Sequence, residues 1–417
     1  MTTIESTLPM NAQSQTLPSL LERAKALAPR IRERTVEVED QRHVHDETVQ
    51  EMIDAGLFRS MQSKRWGGEE AGPHEFMEAV IEIGKACTSS AWVLCILTAH
   101  NWEMAHMSPQ LQEEVYGEDP DTLLSSSYAQ QGNVAVRVDG GLRISGKWKS
   151  SSGIHHAKWV ALGVNVEGEA PHNIVVPLSD AKVVDDWYVL GMQGTGSRSV
   201  VLDDVFVPDH RAIDRDILLA DAGPGLVHTD SPLFRVPQAL IYSSVAAAPA
   251  LGAGWRFYEE FPNYYGLSTS KAGRQIADDH LVLSKYAEAR GSLNAQQLVF
   301  LLRHQQAYET AVRGEQMGEL QIAESMFDLS KNGRVALDVA TSLMPQLRPS
   351  AVYHTSIMQR LYRDIVVARQ HGTQNADEAG RTMGLIQQGV PATQTFILPP
   401  ARLEAARQRA ADLGYLG

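Results

Sequence analysis

The sequence predicts an α+β fold in which a helical N-terminal region and a helical C-terminal bundle enclose a middle antiparallel β domain. Helical periodicity runs to about position 120, segments rich in β-branched residues follow from Thr122, and helical periodicity returns after Pro208. We expect a disordered lead-in and three structural units, at 1–18, 19–121, 122–210 and 211–417.

Apolar residues at helical spacing predict the N-terminal helices. From Leu20, apolar side chains recur every three or four positions between arginines and glutamates, which is typical of an amphipathic helix. Gly56 suits the left-handed position after a helix end, and Pro73 suits a first helical turn. The segment at 89–107 is apolar on nearly all sides, which indicates a buried central helix. The predicted helices are 20–31, 46–55, 73–85 and 89–107.

Short β-branched segments separated by Gly, Asp and Pro turns predict a barrel or sandwich in the middle of the chain. The predicted strands are Val134–Val138, Trp159–Val166, Asn173–Pro177 and Val200–Val207. After them, the apolar residues between Ile322 and Leu343 lie close to one helical face, and helices are also expected at 356–370 and 401–413. A polar, Gly-containing connector at 262–279 is of the kind that reaches a ligand or a neighbouring subunit.

Composition excludes several classes of function. The chain has 417 residues, with 50 acidic side chains against 37 basic ones and a net charge of -13, so nucleic-acid binding is not expected. The longest apolar run, Ala91–Ala99, is far shorter than the 20 or so residues of a membrane span. The N-terminus lacks a basic segment followed by an apolar one, so we expect no signal peptide and a cytoplasmic protein without membrane contact.

Several familiar sites are also excluded. Cys87 and Cys95 are too few for a disulfide framework and badly spaced for zinc. The glycines of GMQGTGSRS at 191–199 have the wrong spacing for a dinucleotide fingerprint. His155 and His156 point to opposite faces if they lie on a strand, so no metal is expected. The chain contains no G-x-S-x-G nucleophile elbow.

Two middle segments, GKWKSSSG and DWYVLGMQGTGSRSVVLDDVFVP, together with the order of helices and strands, resemble the acyl-CoA dehydrogenase fold over nearly the whole chain. Three further stretches are more similar to the two-component flavin monooxygenases, including 4-hydroxyphenylacetate and steroid-phenol hydroxylases. They are SSAWVLCILTAHNWEMA at 89–105, DPDTLLSSSYA at 119–129 and QRLYRDIVVARQHGT at 359–373.

His371 distinguishes the two groups. Many acyl-CoA dehydrogenases carry a glutamate before Gly-Thr at this helix end as the α-proton base, whereas here His371 precedes Gly372-Thr373. Some dehydrogenases place that glutamate on another helix, so an acyl-CoA dehydrogenase with FAD remains an alternative, as does an N-oxygenase on the same fold. A non-catalytic binding role is the least favoured.

The resemblance implies an oxygenase component that receives reduced flavin, FADH2 or FMNH2, from a separate reductase and uses O2 to hydroxylate a small phenolic or indolic substrate through a C4a-hydroperoxyflavin. Such an intermediate eliminates peroxide unless a closed, apolar pocket excludes water. We expect Trp92, Leu94, Trp102 and Tyr128 to supply the pocket walls. Members of the fold usually form homotetramers through the C-terminal helices, and the apolar face of 322–343 is compatible with this.

By the same resemblance, three residues are candidates for catalysis. His371 corresponds to a histidine that assists proton transfer at the substrate oxygen, His100 to a substrate-pocket histidine, and Ser126 to a serine that contacts the substrate hydroxyl. An imidazole has a pKa of about 6.5 and accepts a proton at neutral pH, where a phenol with a pKa of about 10 stays protonated. A buried histidine such as His100 is equally often a satisfied core residue.

Five residues are candidates for flavin binding. Ser152 matches the family's serine near flavin N5, although the serine run before Gly153 is also typical turn chemistry. The remaining four are Ser151, Trp92, Thr195 and Arg274.

The chain departs from its relatives at two places. Asn375 stands where the family resemblance implies an aspartate four positions after the histidine, so position 375 offers His371 no ionised orienting partner. The segment at 266–274 has only Lys271 and Arg274 as basic residues to meet a flavin phosphate.

Overall fold

The computed structural model describes residues 17–128, 133–266, 278–347, 349–391 and 397–416. Most of the predicted disordered lead-in, residues 1–16, lies outside these ranges. Within them, the helices expected at Leu20, Asp46, Pro73 and around position 89 are all present. The N-terminal helices are α1 (Leu20–Glu33), α2 (Thr35–Gln41), α3 (Asp46–Asp54), α4 (Pro73–Ala86), α5 (Thr88–Met104) and α6 (Pro109–Tyr116).

Local sequence signals account for these helix ends. The Ser19 hydroxyl caps α1 by accepting a hydrogen bond from the Glu22 backbone N–H, and the Ser19 backbone N–H donates one to the Glu22 carboxylate. Gly56 follows α3 with a φ of 70°, a left-handed conformation that glycine adopts without strain. Helix α5 is buried all round except at Trp92 and Ile96, which are half-buried. The prediction of a central, apolar helix is therefore confirmed.

The middle of the chain forms two four-stranded sheets. Their orders are β1-β4-β5-β8 and β2-β3-β7-β6, and all pairs are antiparallel except β1 with β4. That parallel pair was not predicted. It is possible because β2 and β3, which lie between the two strands in the chain, pair in the other sheet and provide the crossover. The strands are β1 (Leu124–Ser127), β2 (Val134–Val138), β3 (Gly141–Ser151), β4 (Trp159–Val164), β5 (His172–Pro177), β6 (Lys182–Val184), β7 (Arg198–Pro208) and β8 (Ala212–Asp214).

Helices follow the sheets to the end of the described chain. The longest two, α8 and α9, form the frame of the C-terminal bundle. The helices are α7 (Arg215–Leu219), α8 (Gln238–Gly266), α9 (His280–Val312), α10 (Glu319–Ser330), α11 (Asn332–Leu343), α12 (Ile357–Ala368), α13 (Ala376–Gln387) and α14 (Pro400–Asp412). The helix–strand–helix architecture agrees with the predicted fold class.

The apolar face at 322–343 proves to belong to two helices, α10 and α11, separated at Lys331. Its side chains are not available to another subunit, because Leu329, Ala336, Ala340 and Leu343 are fully buried and both helices pack against α8 of the same chain. The face at 322–343 therefore gives no support for a tetramer. Periodicity shows which side of a helix is buried, but not whether the side chains that cover it belong to the same chain or to another subunit.

Small residues let α8 approach the N-terminal helices closely. A Cβ atom added at Gly252 would lie 2.6 Å from the Cα of Gly84 on α4, well inside contact distance. The two backbones touch at this crossing, which ties the N-terminal helices to the C-terminal bundle on one side of the central cavity. Among the described residues, none of the helices has the length and apolar character that crossing a membrane requires.

Candidate functional site

A cavity of about 820 Å³ lies where α5, β1, the turn after β3, the segment before β7, α8 and the turn between α12 and α13 meet. This volume is within the range of pockets that enclose cofactors and drug-sized ligands. Its lining combines aromatic and aliphatic side chains with several hydroxyls. The aromatic and aliphatic members include Trp92, Ile96, Tyr128, Trp187, Met192, Tyr242, Val245, Met326 and Val367.

Five of the predicted site residues line this one cavity, although they come from five separate segments of the chain. They are Trp92, Ser126, Ser152, Thr195 and His371. Ser151 lies beneath the lining, with a buried hydroxyl that has no hydrogen-bond partner among the described residues. Arg274 lies outside the described residues.

Two of the four residues that were predicted to form the pocket walls do line the cavity. Trp92 and Tyr128 line the cavity, whereas Leu94 and Trp102 are fully buried in the protein core. Helix geometry explains the error: successive residues turn by about 100°, so Leu94 faces almost opposite to Trp92, and it is Ile96, four positions on, that shares the cavity face.

His371 begins the turn after α12 and presents its ring to the cavity. Its Nδ1 atom is 2.8 Å from Thr373 Oγ1, and its ring meets Trp92 edge-on at 5.4 Å between centroids. His371 is an exposed residue whose ring opens onto the cavity, and desolvation by the protein around the ring lowers its pKa to about 4. The imidazole is therefore neutral at physiological pH.

Thr373, and not residue 375, contacts the His371 ring. Asn375 accepts a hydrogen bond from the Glu378 backbone N–H at 3.2 Å and so caps α13, while also lining the cavity. The partner of the His371 ring is thus a neutral hydroxyl two residues after the histidine. The sequence motif His-Gly-Thr contained this partner, but only the turn shows that the threonine reaches back to the ring.

A run of hydroxyls connects Ser152 to the backbone behind it. Trp92 Nε1 donates to Ser152 Oγ at 3.1 Å, Ser152 Oγ is 2.7 Å from Ser197 Oγ, and Ser197 Oγ is 2.7 Å from Thr195 Oγ1. Thr195 Oγ1 in turn donates to the Met192 carbonyl at 2.9 Å. We call these five groups the hydroxyl chain. Ser197 was not predicted, since nothing distinguishes it from any other serine in the sequence.

The segment that carries Met192 and Thr195 is held tightly between α2 and α12. The Met192 N–H donates to the Asp364 carboxylate at 2.6 Å. A Cβ atom at Gly194 would lie 2.1 Å from Val38 Cγ1, and one at Gly191 would lie 2.4 Å from the Arg363 backbone. The glycines at 191 and 194 therefore allow close packing against α12 and α2.

His100 does not line the cavity but lies buried behind it. Its Nδ1 atom is 2.9 Å from the hydroxyl of Tyr242, and Tyr242 lines the cavity. The Glu103 carboxylate, 4% exposed, accepts hydrogen bonds from the hydroxyls of Tyr128, at 2.5 Å, and Tyr242, and from Asn173 at 2.9 Å. We call these five residues the Glu103 cluster.

Electrostatics explains why a carboxylate is tolerated at this depth. Burial by itself would raise the pKa of Glu103, but hydrogen bonds and charge interaction from His100 and hydrogen bonds from the two tyrosines hold it below its usual value. Burial and the nearby carboxylate raise the pKa values of Tyr128 and Tyr242 well above normal. Both phenols are therefore neutral donors to an ionised Glu103. The position of Tyr242 between His100 and Glu103 was not predicted from the sequence.

A second cluster of polar side chains lies away from the cavity. The ligand atoms of His43, Asp46 and His155 come within 4.8 Å of one another, and the rings of His43 and His155 stack at 3.9 Å with an angle of 13° between their planes. An imidazole binds a metal ion in the plane of its ring, and two stacked rings have no common plane. The cluster as it stands is therefore poorly arranged for coordination.

Comparison with known proteins places the chain in a family. The family models for "Acyl-CoA dehydrogenase, N-terminal domain" and "Acyl-CoA dehydrogenase, C-terminal domain" match residues 20–115 and 244–376. The oxygenase subunit HsaA of a flavin-dependent monooxygenase from Rhodococcus jostii is 33% identical over 384 residues, which cover 90% of this chain and all of that protein. The chain belongs to the flavin-dependent monooxygenase oxygenase subunits, built on the acyl-CoA dehydrogenase fold.

Two further relatives extend this result. The oxygenase component of p-hydroxyphenylacetate 3-hydroxylase from Acinetobacter baumannii is 26% identical, with 91% of each chain covered. The structure of XiaF from Streptomyces sp., in complex with FADH2 and glycerol, superposes with a TM-score of 0.83 at 25% identity, covering 91% of this chain and 97% of that one. These likenesses do not favour the acyl-CoA dehydrogenase alternative.

The residues present fit a reduced flavin. The cavity is large enough for a tricyclic ring and a small second molecule. Ser152 is 8% exposed, and its hydroxyl lies at the cavity beside the flat indole of Trp92. Hydroxyls can hydrogen-bond with the polar edge of a flavin ring, and an aromatic side chain can pack against its face.

Proposed function

We propose that this protein is an oxygenase component that hydroxylates a small phenolic or indolic compound with O2 and with reduced flavin delivered by a separate reductase. One observation carries the proposal: the neutral imidazole of His371 and the hydroxyl of Ser152 open onto the same cavity, linked through Trp92. Two turns from different parts of the chain, one proposed to face the cofactor and one the substrate, thereby contact the same tryptophan of α5.

The bound flavin supplies the activation of oxygen, and the protein supplies a dry, shaped enclosure. Trp92, Tyr128, Tyr242 and Met326 provide apolar surface around the space that remains. Ser126 at the end of β1 lies on the same lining. We propose that its hydroxyl meets the polar substituent of the substrate, as the family resemblance implies.

His371 would accept the proton of the substrate's hydroxyl or ring N–H. Nδ1 lies 2.8 Å from Thr373 Oγ1 and 3.4 Å from the Thr373 backbone N–H, which donates to it in the tautomer that leaves Nδ1 unprotonated. Nε2 is the accepting atom in the other tautomer, in which Nδ1 carries the ring hydrogen and donates it to Thr373 Oγ1. Removing this proton raises the electron density of the aromatic ring and favours its attack on an electrophilic oxygen. His100 would act at one remove, through the hydroxyl of Tyr242.

Three further features belong to the proposal. A flavin reductase would supply the cofactor by diffusion, and the chain would work in the cytoplasm, where its two cysteines, both free and buried, stay reduced. It would also form a homotetramer through the C-terminal helices. Exposed apolar side chains on α9, Leu298 at 62% and Leu302 at 49%, lie one turn apart and support a contact there. Light scattering on the purified protein gives the subunit number.

Aerobic turnover tests the function directly. The protein is mixed with an unrelated flavin reductase, NADH, FAD or FMN, and a panel of phenols and indoles, and both hydroxylated product and peroxide are measured. We expect product with a subset of the panel, and we expect His371→Ala to lower its yield by about 10²- to 10⁴-fold, the usual contribution of a general base, while peroxide is still released. Peroxide alone with every compound would contradict the proposal.

Two outcomes would point to the other readings. Hydroxylation of an amine at undiminished rate in His371→Ala would indicate an N-oxygenase, which needs no base for a phenol. A protein that is isolated yellow and is bleached by an acyl-CoA would indicate a dehydrogenase.

A further inference from the structure

Methionine side chains meet the cavity at two places. Among the methionines that the structure describes, only Met192 and Met326 line it. Met192 is 2% exposed, and its backbone is held in place because its N–H donates to the Asp364 carboxylate. Met326, on α10, is 8% exposed and is the more open of the two. A methionine thioether is readily oxidised to a sulfoxide, so these two sulfurs are the sensitive atoms of the wall.

The surroundings of Met326 place it on the proposed substrate side of the cavity. Helix α10 packs against α8, against α13 and against the short turn at Gly372–Gln374 that follows His371. Val245 of α8 and Ala379 of α13 line the same cavity, so the wall is apolar here. Met326 therefore belongs to the wall that adjoins the proposed base, and not to the segment before β7.

Peroxide that forms in the cavity is highly concentrated around this wall. Without an aromatic substrate, the oxygen that is reduced in the proposed reaction leaves as hydrogen peroxide. One molecule confined in 820 Å³ has an effective concentration of about 2 M. A millimolar solution of peroxide is roughly a thousandfold more dilute. Half-buried methionines outside the cavity lining, such as Met317, meet only the peroxide that has escaped into solvent.

We propose that Met326 is the residue that this protein oxidises in itself when hydroxylation fails. The inference rests on the proposed function. The sulfur of Met326 attacks one oxygen of hydrogen peroxide, an S–O bond forms and the O–O bond breaks. The leaving oxygen takes the hydrogen of the attacked oxygen and departs as water. Sulfur thereby loses two electrons, peroxide gains them, and the side chain becomes methionine sulfoxide.

The sulfoxide changes what the cavity can hold. It places a polar oxygen in the apolar wall beside Val245 and Ala379, where an aromatic ring would pack. The substrate then binds less well, so fewer turnovers end in hydroxylation and more end in peroxide. The damage accelerates itself, and an aromatic substrate protects Met326 because hydroxylation consumes the reactive oxygen.

Peptide mass spectrometry tests the site of oxidation. The protein is turned over with an unrelated flavin reductase, NADH and flavin, without an aromatic compound and with catalase, which destroys peroxide once it leaves the cavity. We expect at least about tenfold more sulfoxide at Met326 than at the half-buried Met317 and Met344, because only Met326 meets confined peroxide. Hydrogen peroxide added to the resting protein without catalase should reverse this order. A compound that is hydroxylated should lower the oxidation of Met326.

Met326→Leu tests the consequence of the oxidation. Leucine keeps the size and apolar character of the side chain but has no sulfur. Met344→Leu is the matched control, since Met344 is half-buried outside the cavity lining. Each protein, its fold checked by circular dichroism, is turned over without an aromatic compound, and its hydroxylation yield is then compared with its own initial yield. We expect Met326→Leu to lose yield at least about threefold more slowly than the wild type and Met344→Leu.

The outcomes separate this inference from the proposed function. An intact Met326 thioether after peroxide release, sulfoxide at Met192 ahead of Met326, or sulfoxide at Met326 only when catalase is omitted would each overturn the inference. Equal losses of yield in all three proteins would overturn it as well. In each of these cases a hydroxylated product would leave the proposed function standing. A protein that releases neither hydroxylated product nor peroxide overturns both.

Discussion

The hydroxyl chain and the Glu103 cluster border the same cavity, and they hold their buried polar groups in place in different ways. Both bury polar groups and both fix the direction of hydrogen bonds next to a ligand site. In the hydroxyl chain all members are neutral, and the direction comes from the indole at one end and the carbonyl at the other. In the Glu103 cluster a charge at the centre draws every donor towards itself.

The difference shows how the cost in stability of removing one residue depends on whether the buried network is neutral or charged. Removing one link of a neutral chain lets the remaining hydroxyls rotate and find other partners, so the cost in stability is small and the direction changes. Removing a central charge leaves several donors without an acceptor at once, so the cost in stability is large. Each of the following three experiments measures one part of this contrast.

The largest effect is expected for Glu103→Leu. The substitution leaves the hydroxyls of Tyr128 and Tyr242 and the amide of Asn173 without their acceptor, which should lower the free energy of unfolding by about 3 to 5 kcal/mol in urea denaturation. Glu103→Gln retains an oxygen acceptor and should lose less. If Glu103→Leu came within about 1 kcal/mol of the wild type, a central charge would not be what organises this cluster.

A smaller effect is expected when pH changes the charge of Glu103. Its pKa is lower in the folded protein than its ordinary value of 4.5, so its stabilising contribution is complete above that value and is lost as the pH falls through the folded pKa. The difference in unfolding free energy between wild type and Glu103→Gln should therefore shrink below about pH 4.5. Buried histidines that do not interact with Glu103, such as His304, whose pKa is lowered by burial to about 4, destabilise both proteins alike and cancel. A difference that grew with acidity would show that Glu103 is protonated in the folded state.

The smallest effect is expected for Ser197→Ala. A link between two neutral hydroxyls contributes about 1 kcal/mol, and since no member of the chain ionises near neutrality, the cost should be the same from pH 5 to pH 8. Ser243→Ala is the matched control, because Ser243 is equally buried but its hydroxyl has no partner among the described residues. A pH-dependent cost in Ser197→Ala would reveal an ionising group coupled to the chain.

Sequence patterns predicted the elements of the fold well and the residues of the cavity in part. Leu20, Asp46 and Pro73 mark helices because caps, periodicity and proline placement act within one or two turns. Ser152 and His371 were found through motifs that the family resemblance carries. Leu94 and Trp102 were misplaced because an all-apolar helix has no periodicity that reveals which face meets a cavity.

The sequence by itself determined the order of helices and strands, the buried character of α5 and the exchange of a carboxylate for an imidazole at position 371, since all of these are local properties of residue type and spacing. Only the tertiary structure decided that Ser197, Thr373 and Tyr242 complete the site, and that the apolar face at 322–343 turns inward onto α8. The Ser152–Ser197 and His100–Tyr242 contacts join residues 45 and 142 positions apart, so they depend on how separate elements pack. Thr373 is only two residues from His371, and its contact depends on the conformation of the turn between them.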